Sequence, residues 1–216
     1  MDSFDTLGRD AGQEYTASLE VLRRAKNAFF CIGLLAVASH LVSWGVSRYS
    51  TKLGPYSLST AGASRPEFSE AQYQSGRRWQ KGVESAITWA GFLGRVSICV
   101  LVGIQVIALM ISLAGRLGGA EALTRAIVWL LVALAMVVPW MKTTIDDAIS
   151  PRSAFFDYDA LASMSTAPAG GLVVWARFVL CPLMVGVCLV ASQLCFRQAY
   201  RRITLTPSVR LPIHEV

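Results

Sequence analysis

Four stretches of this sequence carry no formal charge, and basic residues bracket each one. They are 27–47 between Lys26 and Arg48, 96–115 between Arg95 and Arg116, 126–141 between Arg125 and Lys142, and 178–196 between Arg177 and Arg197. An apolar helix needs roughly 20 residues to cross ~30 Å of hydrocarbon. Three of the stretches meet that length. The third is short, but Ala122, Leu123 and Thr124 extend it past Arg125, whose charge can snorkel to the interface.

Helices are required because lipid offers no water to satisfy backbone polar groups. A transmembrane barrel would need alternating strands of about ten residues, and LLVALAMVV, from Leu130 on, does not alternate. Composition agrees: 54% of residues are hydrophobic and 16% charged, against about 25% charged in a soluble domain. The expected fold class is therefore an all-α integral membrane protein. Four transmembrane helices form a bundle, with a helical amphipathic N-terminal stem.

The expected boundaries follow the charges. Residues 1–26 form the stem, with spans at about 27–47, 94–115, 123–141 and 174–196. Loops 48–93 and 142–173 lie on the opposite side from the termini, and 197–216 is a basic tail. Asp10 followed by Gln13 has capping-box spacing. Tyr15, Leu19 and Leu22 then make an apolar stripe. Nothing breaks the pattern before Val46, so one helix is predicted over about 11–48. No cleavable signal peptide is expected, because 26 mostly polar residues precede the first apolar run. Ser64 with Glu67 is a second candidate cap, opening a helix through Tyr73, Trp79, Val83 and Ile87. Its Arg77, Arg78, Trp79 and Lys81 fit a surface-lying helix, but Gly76 and Gly82 favour a solvated extension of the second span.

Four spans put both termini on one side. Arg23, Arg24 and Lys26 abut the first span, and Arg197, Arg201 and Arg202 abut the last. Both clusters favour cytoplasmic ends, although lysines and arginines divide evenly between the two sides. The expected location is a bacterial inner (cytoplasmic) membrane. The net charge of +6 is then a property of a membrane surface. No compact basic recognition module supports nucleic-acid binding.

Cys181, Cys188 and Cys195 recur every seven residues, about 10.5 Å of helix rise. They share nearly one face, yet stand too far apart to ligate one metal ion or to bridge each other. Cys31 and Cys99 also lie in spans, which excludes a disulfide framework in an outer loop. Helix packing is the expected role of Cys181, Cys188, Ser192 and Cys195, and of the Ser39, Ser43, Ser47 stripe. Cys195, beside arginines at a helix end, is also a candidate for palmitoylation.

His40 is the single histidine within a span. It is a weak candidate for cofactor binding, and a hydrogen bond to a neighbouring helix is the plainer expectation. Gln105 and Gln193 are the other intramembrane polar residues, expected to bond across helices. No Asp or Glu lies in any of the four windows, whereas proton-coupled carriers usually need one there. Asp146, Asp147, Asp157 and Asp159 are weak metal candidates in the loop after the third span, but their spacing lacks the glycine and glutamate of a calcium loop. Phe155, Phe156 and Tyr158 interleave these acids. Trp89 with Arg95, and Trp175 with Arg177, are expected interface anchors.

No nucleophile elbow, zinc-protease helix, phosphate loop or paired-cysteine motif occurs. The sequence thus points to a non-enzymatic multi-pass protein with no cofactor. Its expected partners are the lipid bilayer and other membrane subunits or copies of itself, in an accessory or scaffold role. The alternative is a small transporter or channel acting as an oligomer, and a third reading is a redox subunit using His40 or the aspartate loop.

Overall fold

Proline is missing until Pro55, so nothing in the first 50 residues removes a backbone donor from a helix. Accordingly α1 runs unbroken over Asp2–Tyr49. The computed structural model describes residues 2–50, 53, 69–115, 119–138, 153–158 and 175–205, with side chains from 17 to 203 within the helices. Helix α2 spans Glu70–Ala114, α3 spans Ala120–Val137 and α4 spans Cys181–Leu205, entered through a π-helical turn at Ala176–Leu180. The described residues contain no strand. All four helices are long and apolar enough to cross a membrane, so the protein is an all-helical, multi-pass membrane protein.

Local chemistry explains where each helix stops. Ser69 caps α2 through a capping box with Gln72, which accepts a 2.8 Å bond from the Ser69 backbone N–H. The cap expected at Ser64 lies outside the described residues. Helix α2 ends at Gly115, and α3 opens at Gly119, whose φ of +100° is left-handed. Glycine is needed there twice over. An added Cβ would be strained at that φ and would also sit 3.0 Å from the Ala199 carbonyl oxygen. Helix α3 stops at Val137 rather than 141, because Val138, with ψ of 127°, precedes Pro139. The proline ring disfavours helical backbone in the residue before it.

In the fourth span Pro182 supplies no N–H to the turn before it, and that turn widens. Cys181 N–H bonds Ala176 O, a spacing of five. The helix does not end at the expected 196. It continues to Leu205, because RQAYRRITL contains no glycine or proline. Helix α2 runs from Glu70 through Tyr73, Trp79, Val83 and Ile87 into the span, so the basic-aromatic stretch is a continuous extension of it, as expected.

Helix α1 packs chiefly on α2 and α3 chiefly on α4, with α2/α3 and α1/α4 closing a four-sided bundle. The core has three levels. Leu19, Ala108, Leu123, Ala126, Phe196 and Ala199 fill the end nearest the termini. Ala36, Val37, Ile98, Leu101, Leu130, Val185 and Leu189 fill the middle. Trp44, Val83, Ile87, Phe156, Tyr158 and Phe178 fill the far end. In lipid the drive between helices is close packing rather than escape from water. Gly33 shows how this is achieved: a Cβ there would lie 3.3 Å from both Leu189 Cδ1 and Ser97 Oγ, so three helices meet at one glycine.

Helix α1 has 48 residues and α2 has 45, or roughly 70 Å each at 1.5 Å per residue. Each outruns the ~30 Å hydrocarbon layer. Helix α1 overshoots on the terminus side and α2 on the loop side.

Candidate functional site

The bundle buries ionisable side chains at two levels of α1, one toward each end. His40 is wholly buried at the far end. Its Nδ1 lies 3.0 Å from the Ala36 carbonyl oxygen, one helical turn back. A carbonyl can only accept, so Nδ1 carries a proton. The Nε2 atom has no hydrogen-bond partner among the described residues.

A short segment between α3 and α4 covers this imidazole. Ser153–Phe156 and Tyr158 are all buried, although they belong to no long helix. Ala154 N–H donates to Met136 O at 2.8 Å, and the Ser153 hydroxyl donates to Val137 O. These are carbonyls at the end of α3 that no helical N–H follows to claim. The anchored segment drives Phe155 and Phe156 inward. Their ring centroids lie 4.7 and 5.1 Å from that of His40, tilted and edge-on respectively. Phe156 also meets Phe178 of the π-helical turn edge-on at 4.7 Å.

Two glycines of α2 make the room. A Cβ on Gly94 would fall 2.5 Å from Phe155 Cε2, and one on Gly91 would fall 3.8 Å from His40 Nε2. Arg95 turns to this segment and donates to the Phe155 carbonyl at 3.3 Å. The plug therefore closes the bundle with two phenylalanines, and Arg95 holds its backbone.

Lys26 is the second buried group, only 1% exposed. Its Nζ donates to Gln193 Oε1 and lies 3.8 Å from the centroid of the Phe196 ring. Gln193 Nε2 donates in turn to Asn27 Oδ1 at 3.0 Å. The ammonium is thus held by an amide and an aromatic face, both from α4, and no described carboxylate pairs with it. Depth follows from the Gly119 turn, which packs on Ala199. Gln193 lies six residues, about 9 Å, further into the bundle. Lys26 is therefore buried inside the bundle, below the level of the Gly119 turn. The sequence held a signal for this: the stripe Tyr15, Leu19, Leu22 reaches Lys26 at the next i+4 step.

Between the two ends, Gln105 Nε2 donates to Ser192 Oγ at 2.8 Å across the bundle diagonal, and Gln105 Oε1 has no described partner. Both glutamines thus bond across helices, though not to each other. The Ser97 hydroxyl donates to the Phe29 carbonyl of α1. On α1, Ser43 and Ser47 are buried and Ser39 is half-buried. On α4, Cys188 and Ser192 are buried, while Cys181 and Cys195 are half-buried against the middle and terminus-end cores. The five cysteines are free thiols.

Trp89 is largely exposed, and Trp175 meets Trp44 edge-on at 5.0 Å. Arg177 lies over the Phe178 ring. Asp157 is exposed beside the plug, whereas Asp146, Asp147 and Asp159 lie outside the described residues. Among the described residues no three His, Cys, Asp or Glu side chains gather as metal ligands. No protein-family model, curated protein or solved structure matches the chain.

Proposed function

We propose that this protein is a non-catalytic accessory subunit that docks other membrane chains on its outer surface. The observation that carries the reading is the projection of α2 beyond a bundle whose own interior is filled. From Glu70 to Gly82, α2 is exposed on nearly all sides, with only Gly76 buried and Gln80 half-buried. Tyr73 and Trp79 are 39% and 44% exposed there, beside exposed Arg77, Arg78 and Lys81. Aromatic and arginine side chains are the residue types that concentrate at interface centres. Within the membrane, Cys99 and Gly103 of α2 form a small-xxx-small step facing outward, and nothing lies within 4 Å above Gly103. Such a step lets a further helix approach closely. The basic flanks of the first and last spans support cytoplasmic termini, and a bacterial inner membrane is the location we assign on that basis.

The test is the size of the native particle. Solubilised in mild detergent, the chain is expected to migrate well above its monomer. The Tyr73→Ser/Trp79→Ser variant is expected to shed that excess size. A clean monomer with no co-purifying chain would overturn the reading. A second reading, a small transporter or channel acting as an oligomer, draws support from Lys26, Gln105 and His40, which bury polar atoms at three depths. Solute flux in proteoliposomes that disappears in Gln105→Leu is its test.

A further inference from the structure

We infer that the terminus-side groove between α1 and α4 holds the phosphate headgroup of an anionic phospholipid. Three cations converge there from the two helices. Arg23 lies on Tyr200, its guanidinium carbon 4.8 Å from the ring centroid. Arg197 directly follows Phe196 on α4, and Lys26 sits on the Phe196 ring. Arg23 and Arg197 are exposed, as is Asn27. The bond from Gln193 occupies the Asn27 carbonyl oxygen and leaves its two amide N–H groups as donors.

Among the described residues, the acids at this end are already paired elsewhere. Glu20 pairs with Arg24 at 2.8 Å, and Glu121 pairs with Arg125. Among the described residues, neither Arg23 nor Arg197 has a carboxylate partner. Like charges brought together over a buried ammonium are costly, and a counter-anion relieves all three at once. Depth selects the kind of anion. Arg197 stands about 3 Å below Ala199 along α4, and Gln193 with Lys26 about 9 Å below. Ala199 marks the level of the turn into α3. Guanidiniums at headgroup level, amide donors next, and a lysine just inside the hydrocarbon match a lipid phosphate with its acyl chains running down the seam. A free ion would have no use for that gradient.

The test uses the full chain in mild detergent, titrated with phosphatidylglycerol or phosphatidylcholine and read by native mass spectrometry. Retention of phosphatidylglycerol is expected to exceed that of phosphatidylcholine by about tenfold. Arg23→Gln/Arg197→Gln is expected to remove the preference, while Arg77→Gln/Arg78→Gln at the opposite end keeps it. A photoactivatable phosphatidylglycerol is expected to label α1 and α4 near Asn27 and Arg197 in the unmodified protein, a readout that needs no variant to fold. Equal retention of the two lipids, a preference that survives in the Arg23/Arg197 variant, or labelling elsewhere would overturn the assignment. So would displacement of the lipid by millimolar inorganic phosphate, which would mark a site for free anions instead.

Discussion

The two ends of the bundle solve the burial of a polar side chain in opposite ways. At the terminus end the helices supply the answer themselves: Gln193 of α4 accepts from Lys26, and Asn27 accepts from Gln193. At the far end the helices leave His40 Nε2 without a described partner, and a separate segment brings two aromatic rings over it. The first solution is a hydrogen-bond chain within the bundle. The second is steric closure by a segment outside the four helices. The difference teaches that polar burial in lipid can be met by bonding or by sealing, and that each fails differently when cut.

Removing the seal should have the largest effect. Phe155→Ala takes out a buried ring that touches His40 and fills the space over Gly94. A loss of about 3 to 4 kcal/mol is expected, from the cavity more than from transfer, since lipid is itself apolar. Reversible unfolding in mixed micelles measures it. If the loss is below 1 kcal/mol, on the order of a surface change, the plug is not part of the folded core.

Cutting the bonded end should cost slightly less. Gln193→Leu strands the Lys26 ammonium with an aromatic face alone, and about 2 to 3 kcal/mol is expected from the unpaired buried cation. Lys26→Met combined with Gln193→Leu should return most of that loss, because both polar partners are then gone. A double-mutant cycle reads the coupling directly. Additive losses would mean that Lys26 reaches water by another route, and the contrast between the two ends would dissolve.

Gly94→Ala sharpens the comparison from the other side. The new methyl would lie 2.5 Å from Phe155 Cε2 and 3.0 Å from Ala36 Cβ. One neighbour is a wedged ring and the other belongs to α1, so neither yields easily. A cost of about 1 to 3 kcal/mol is expected. It should coincide with increased labelling of a cysteine placed at Ala154, which is buried while the plug is seated.

The sequence made the rods legible and left the plug out of view. Charge-free windows alone located all four helices, because a lipid solvent forbids charge over a fixed length. Their ends were less visible. Val137 and Leu205 each stand two residues before a proline, Pro139 and Pro207, and the stretch from Arg197 to Leu205 holds no breaker. Phe155 and Phe156 read only as aromatics interleaved with acids, since no period marks a segment that packs by tertiary contact. Lys26 read as a flank because a charge next to an apolar run is usually an anchor. Only its place on the Leu19–Leu22 stripe argued otherwise. His40 and the two glutamines were legible as intramembrane polar residues, but which acceptor each would find was not.

The smallest effect belongs to the middle of the bundle, between the bonded end and the sealed one. Gln105→Leu removes the bond to Ser192 and, with it, an oxygen that has no described partner. Interhelical bonds in membranes average about 0.6 kcal/mol, and removing a stranded acceptor offsets much of that. Stability within about 0.5 kcal/mol of the unmodified protein is therefore expected. This makes Gln105→Leu the cleanest probe of function, because a change in particle size or solute flux could not be blamed on unfolding. A loss above 2 kcal/mol, well beyond the roughly 1.7 kcal/mol ceiling for such bonds, would instead show that the middle level depends on polar bonding as strongly as the Lys26 end. The bundle would then have one sealed end and a bonded remainder, rather than two different ends around a neutral centre.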